Sequence, residues 1–347
     1  MNVSMENISN TKIITPTYCC LAILESCFMK CKMCYKWQSD INLRSSDEPT
    51  VAQWKQLITD LASMGDIRPT INFAGGEPLV RGETLDLIAF ASSLGLDTLL
   101  ATNAYLIEKE MSLRINEINL KNIVISLDGV NKNTHDFLRG TAGSFERVQR
   151  AIELLQLYAN KVKIDLATVI SAVNLNEIVA LVEWASQSSK INGIAFQAVT
   201  QPFSTPEEEK WYENPEYSFL WPKDLELVNS AMDRLIELKT AGSLRQGFAI
   251  KNPTRQLGVY KRYFEKPEDF VKRSGCHLYY QALNVTPAGE VHLCFYKPSI
   301  GNIKSSHIQD IWVSEKAKSV REQIKQCRKN CQALVNCNFD ETEDYAE

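Results

Sequence analysis

Cys27, Cys31 and Cys34 form a CxxxCxxC run just past the apolar segment 17–24. Thiolates so spaced can wrap one metal centre. On a four-iron cluster, three of them leave one iron open, the position a substrate or second cofactor needs for one-electron chemistry. With a fourth ligand the same thiolates suit zinc, and cysteine is often buried as a small apolar side chain, so spacing alone leaves three readings open. A second chemical signal is Gly75-Gly76-Glu77-Pro78. Its glycines allow backbone to approach a ligand closely and its proline fixes the turn, although a tight turn between strand and helix would use the same residues.

The ten cysteines are grouped. Five lie between Cys19 and Cys34, five between Cys276 and Cys337, and none lies between these groups. A reducing cytoplasm disfavours disulfides, so two metal-binding clusters fit this placement better than a disulfide scaffold. Cys19 and Cys20 fall inside the first apolar segment and are expected to pack there rather than to ligate metal.

The elements that must position these residues read as a βα repeat. Strands are expected at 17–24, 70–73, 97–101, 122–127, 162–170 and 193–199. Between them, Trp54, Leu57, Ile58, Leu61 and Met64 recur on one helical face, as do Phe145, Val148, Ile152 and Leu155. Asn174 with Glu177 has the pattern of a capping box for a helix at 175–188, and Gly95 is placed to close one at 83–94. Six such units imply a parallel sheet covered by helices, a partial (β/α)6 barrel whose site sits at the C-terminal ends of the strands. Residues 202–222, with Trp211, Tyr212, Tyr217, Phe219 and Trp221, break the rhythm as a lid or as packing, and a further helix is expected at 223–240. The repeat is expected to stop near 245. The division is then a tail at 1–16, a barrel at 17–241 and a small cysteine-rich module at 242–347.

The motifs together resemble the radical S-adenosylmethionine enzymes over most of the chain. The CxxxCxxC after strand one, GGEP after strand two, Thr102-Asn103 after strand three and Ser126-Leu127-Asp128-Gly129 after strand four stand in that family's order and spacing. The resemblance implies a [4Fe-4S] cluster on Cys27, Cys31 and Cys34 whose open iron is chelated by S-adenosylmethionine. One electron then releases a 5′-deoxyadenosyl radical that abstracts hydrogen from substrate. It further implies that Gly75, Gly76 and Glu77 receive the methionine amino group largely through backbone. Thr102, Ser126 and Asp128 would lie near its methionine and ribose parts, and Arg139 would pair with the carboxylate. Two positions depart from the pattern: Met33 stands where an aromatic residue beside the adenine is frequent, and Ala104 where glycine is usual. Both bear on cofactor positioning, not on the cluster ligands.

The late cysteines resemble the SPASM/twitch extension that holds auxiliary clusters. Gly289, Cys294, Gly301-Asn302-Ile303 and Ile311-Trp312 follow its pattern, but the region has five cysteines where the full form has seven. A shortened form with one auxiliary [4Fe-4S] cluster is therefore expected on Cys276, Cys294 and two of Cys327, Cys331 and Cys337. Zinc is the alternative for these thiolates.

A second cluster beside the first implies an oxidative outcome: dehydrogenation, a crosslink or bond cleavage. Peptide or protein substrates are expected first and small molecules second, and the 26 residues before Cys27 leave no room for a fused peptide-recognition domain. The implied partner is a flavodoxin or ferredoxin-type electron donor. The residues identify no catalytic acid or base. His135 is expected on a loop over the strand ends, and His292, Tyr296 and Lys297 are near Cys294 only in sequence. Competing readings are methyl or adenosyl transfer and a non-catalytic electron carrier or metal-binding adaptor. A net charge of −4 without basic blocks gives no nucleic-acid surface, and no run is apolar enough for a membrane span, so a cytoplasmic enzyme is expected.

Overall fold

The structure, a computed structural model, describes residues 15–38, 48–268, 276, 278–331 and 335–336. Strands β1 (Tyr18–Leu24), β2 (Thr70–Gly75), β3 (Thr98–Thr102), β4 (Asn122–Ser126), β5 (Lys163–Ile170) and β6 (Gly193–Ala198) pair in parallel, in chain order. Helices α1 (Val51–Ser63), α2 (Thr84–Ser93), α3 (Lys109–Glu117), α4 (Lys132–Arg139), α5 (Ser144–Tyr158), α6 (Ile178–Gln187) and α7 (Leu225–Thr240) fill the connections. This is the expected partial (β/α)6 barrel. Among the described residues no helix is long and apolar enough to cross a membrane.

The sheet continues on both sides of the six strands. β7 (Ala249–Ile250) adds in parallel to β6 and is followed by α8 (Thr254–Glu265), so the repeat runs past residue 245. Two residues of strand are too few to give a periodicity in sequence. On the other edge β8 (Ala282–Val285) pairs in parallel with β1, and β9 (Glu290–His292) and β10 (Gly301–Asn302) turn back antiparallel. Short helices α9 (Leu278–Gln281), α10 (Ile308–Val313) and α11 (Glu315–Lys325) complete this part. It is fastened to the barrel at α1, where His307 Nδ1 lies 2.9 Å from Asp60 Oδ2. It is fastened again at the end of β6, where the Asn336 amide exchanges two 2.8 Å hydrogen bonds with the Ala198 backbone.

Strand alternation sorts the side chains. Leu21, Ile71, Phe73, Leu100, Ile123, Ile125 and Leu166 are fully buried beneath the helices. On the opposite face the register sets Ala22 beside Ala74, Ala101 beside Val124, and Ser126 beside Ala167, which in turn faces Ala195. Bulky branched residues fill the interior of a closed barrel; side chains this short leave room for a ligand inside the curved sheet.

Two local expectations change, and of the two readings of the aromatic segment packing holds. The capping box lies at Thr50 and Gln53 of α1, not at residues 174 and 177. Asn174 instead accepts from Ser171 N and donates to the Asp128 and Val169 carbonyls, and Glu177 takes the Val130 and Asn131 N–H groups and the Thr134 hydroxyl. Polar side chains at a helix start can thus brace a neighbouring loop as well as their own first turn. His135 lies on α4 and is 1% exposed, not on an open loop. Trp211, Tyr212 and Trp221 are packing residues, with Trp221 edge-on to Tyr263 and Phe264 of α8 at 5.1 and 5.2 Å between ring centroids. As expected, Gly95 follows α2 with a positive φ, and Cys19 is fully buried in β1.

Candidate active site

The loop carrying Cys27, Cys31 and Cys34 leaves the end of β1 and is held from three sides. From β2, Gly76 N donates to Leu24 O at 2.6 Å and Glu77 N to Ser26 O at 3.3 Å. A Cβ on Gly76 would sit 1.8 Å from Ser26 O, and one on Gly75, whose φ is +125°, 2.3 Å from Leu24 O. The two glycines are therefore required where β2 meets the cysteine loop. From α4, Leu138 O accepts from Lys32 N at 2.8 Å, and Gly140, left-handed at the helix end, lies so close that a Cβ would be 2.0 Å from Lys30 O. From the loop after β6, Phe203 bridges Cys34, its carbonyl accepting from Tyr35 N at 2.8 Å. Met33 is buried in this loop, and its carbonyl accepts from Phe203 N.

Glu77 points inward and is 1% exposed. Its carboxylate accepts from Thr102 Oγ1 and Asn103 N, both at 2.8 Å, and from Leu79 N at 3.1 Å. Burial raises its pKa to about 7 against these donors. Thr102 thus serves Glu77, and Asn103, part of the motif but given no role from sequence, holds its amide 3.9 Å from the Cys27 sulfur. Ala104 follows at φ +61°, the left-handed region in which glycine is usual.

At the end of β4, Ser126 is half-buried on the small-residue face, while Asp128 is fully buried and used on every side. Its Oδ1 accepts from Val169 N at 3.0 Å, its N–H donates to His135 Nδ1 at 3.2 Å, and its Oδ2 lies 2.7 Å from Arg139 Nε. That ion pair meets off-axis, leaving Nε and Oδ2 without a well-formed hydrogen bond. The guanidinium charge acts on the buried Cys31 thiol and opposes the effect of burial there. Burial, and then the Arg139 charge, lower the His135 pKa to about 4, so its imidazole is neutral.

Eight of the ten cysteines are candidate cluster ligands. Burial pushes the Cys27 thiol up to about 12 and those of Cys31 and Cys34 upward. Buried thiolates need positive charge beside them, which irons supply and which Arg139 supplies in part. Among the described residues no three His, Cys, Asp or Glu side chains converge on a single metal-ion position. The buried thiols, the orphaned Arg139 Nε and the glycine contacts at the loop fit a cluster. In the C-terminal part Cys276, Cys294, Cys327 and Cys331 are half-buried, and no described cysteine is in a disulfide. Cys294 and Cys331 lie near Tyr296, Cys327 lies near Cys294, and Cys337 lies outside the described residues. Of the three residues near Cys294, Tyr296 lines a cavity of about 560 Å³, whereas His292 faces the Lys297 carbonyl in a local turn.

That cavity lies between the loop after β6 and the C-terminal part. Its walls include Gln197, Gln201, Asn330 and Asn336 with Glu207, Glu208, Glu209 and Lys329.

Comparison with known proteins agrees with this geometry. Residues 21–185 match the radical SAM superfamily and residues 276–338 match SPASM, an iron-sulfur cluster-binding domain. The chain belongs to the radical SAM superfamily, and its cofactors are a [4Fe-4S] cluster, S-adenosylmethionine and an auxiliary iron-sulfur cluster. It is 34% identical over 170 residues to Fe-coproporphyrin III synthase of Methanosarcina barkeri, covering 49% of this chain and 41% of that one. An AdoMet-dependent heme synthase of the same organism is 26% identical over 277 residues, 76% and 73% of the two chains. A PqqA peptide cyclase of Bradyrhizobium diazoefficiens is 32% identical over 121 residues, 35% and 30% of the two chains. Against the first and third the chain spans less than half of the relative's length. Among solved structures, Streptococcus suis SuiB bound to S-adenosylmethionine superposes with a TM-score of 0.67 at 17% identity, over 94% of this chain and 77% of that one.

Proposed function

We propose that the protein oxidatively modifies a peptide or protein held in the cavity between the loop after β6 and the C-terminal part. Cys27, Cys31 and Cys34 would ligate the first cluster. Cys276 and Cys294, with two of Cys327, Cys331 and Cys337, would ligate the auxiliary one. When bound, the first cluster and S-adenosylmethionine supply a 5′-deoxyadenosyl radical for hydrogen abstraction, and a flavodoxin or ferredoxin-type protein would supply the electron. The chain's own part is positioning and exclusion of water. The small-residue face of β1–β6 leaves room for the cofactor, and Phe203 ties the cysteine loop to the cavity wall.

The cavity wall carries this reading. The Gln197 amide can pair with peptide backbone, while the Gln201, Asn330 and Asn336 amides are held by Pro206 O, Pro267 O and the Ala198 backbone and shape the wall; the carboxylates of Glu207, Glu208 and Glu209 outnumber the lining cation Lys329, which pairs with Glu207. A polypeptide with basic residues suits this lining. A tetrapyrrole bearing several carboxylates does not, because like charges would face each other with little counter-charge.

The relatedness to Fe-coproporphyrin III synthase and heme synthase favours a tetrapyrrole as the second reading. The two separate in one assay: 5′-deoxyadenosine release by reduced protein with a pool of basic peptides or with iron-coproporphyrin III. The proposal expects the peptides to stimulate release and one of them to lose two hydrogens by mass spectrometry. Stimulation by the porphyrin alone would refute it.

A further inference from the structure

Residues 138–140 grip residues 30–32. Leu138 O takes Lys32 N and Gly140 presses against Lys30 O, so Arg139, between them, is set opposite Cys31, between the other two, and its charge acts on that thiol. The Arg139 side chain is 12% exposed and its partner Asp128 is fully buried. Asp128 is itself fixed by Val169 N, by its own N–H to His135 and by the Asn174 amide on its carbonyl. The guanidinium is therefore anchored at Asp128 with little freedom to swing toward a small molecule in the lumen. Hydrogen bonds and positive charge at a ligating thiolate reduce electron donation to iron and raise a cluster's potential.

We propose that Arg139 is a positioning residue for the cluster, set between Asp128 and the Cys31 sulfur so that its guanidinium draws charge from one ligand thiolate and raises the reduction potential. This replaces the pairing with the cofactor carboxylate expected from sequence. The inference rests on Cys27, Cys31 and Cys34 holding the cluster, and iron content tests that assignment separately.

The experiment is an EPR-monitored redox titration of the reconstituted holoprotein, following the cluster whose signal changes on adding S-adenosylmethionine, itself left out of the titration. Arg139→Gln should retain its iron and titrate at a more negative potential, with Arg139→Lys recovering most of the difference. Asp128→Asn removes the counter-charge while leaving the guanidinium beside the sulfur, so it should shift the potential the opposite way; it also serves if Arg139→Gln does not hold iron. Potentials that do not move in these variants overturn the proposal. If S-adenosylmethionine binding to Arg139→Gln weakens while the potential stays fixed, Arg139 belongs to the carboxylate instead.

Discussion

The thiols of Cys27, Cys31 and Cys34 sit in a loop clasped by β2, α4 and the loop after β6, with Cys31 only 8% exposed. Cys294, Cys327 and Cys331 are half-buried on turns and helix ends of the C-terminal part. Backbone contacts from elements far apart in sequence fix the first group. The second is carried by β9, β10 and short helices with little sheet to hold them. A loop held by the fold keeps its shape without a cluster, whereas a unit with few regular elements depends on its cluster for order.

Gly76→Ala should give the largest effect. Its Cβ would meet a backbone carbonyl at 1.8 Å, so β2 or the cysteine loop must move, at about 3 kcal/mol or more. Iron analysis beside thermal unfolding should show the N-terminal cluster lost and C-terminal iron retained; a variant that keeps both clusters and its stability would remove the clasp from the account. Next in size, hydrogen exchange on chelated apoprotein should leave β1–β6 and residues 26–34 protected while residues 290–331 exchange freely. Equal protection in the two regions would erase the contrast.

A smaller effect concerns the two titrating groups beside the N-terminal loop. His135 has a folded pKa of about 4, below its ordinary 6.5. The unfolded chain binds its proton more readily, so stability falls as pH drops from about 6.5 to 4, by up to about 1.4 kcal/mol per unit. Glu77, raised to about 7, has the opposite sign: the folded state keeps its proton, and that contribution is lost as pH rises from about 4.5 to 7. The two oppose each other between about pH 4.5 and 6.5. His135→Asn should leave a stability that declines as pH rises across that window, measured by denaturant melts; an unchanged slope would mean that the imidazole is already protonated. Smallest of all, Ala104→Gly should relieve the left-handed strain and add about 1 kcal/mol or less, read from the same melts. A loss would show that the Ala104 methyl contributes more by packing than it costs in strain.

Much of the barrel was legible because its information is local. β1 to β6 lie within a residue or two of the expected segments, since branched and apolar runs mark strands without reference to partners. β7, only two residues long, has no such mark and owes its pairing to β6. In the site, cysteine spacing pointed to the cluster loop, but what grips the loop was hidden. Gly76 and Gly140 are ordinary turn glycines until Ser26 O and Lys30 O are seen against them. Asp128 and Arg139 stand at motif positions, yet no spacing shows that the two pair with each other. The departure at Ala104 was visible in sequence, and its φ gives the physical reason.

The most direct test of the two-site account is iron and labile sulfide content after anaerobic reconstitution, for wild type beside a Cys27/Cys31/Cys34→Ala triple variant. Two [4Fe-4S] clusters predict about eight irons per chain falling to about four. About four falling to none, with zinc in the C-terminal cysteines, would contradict it.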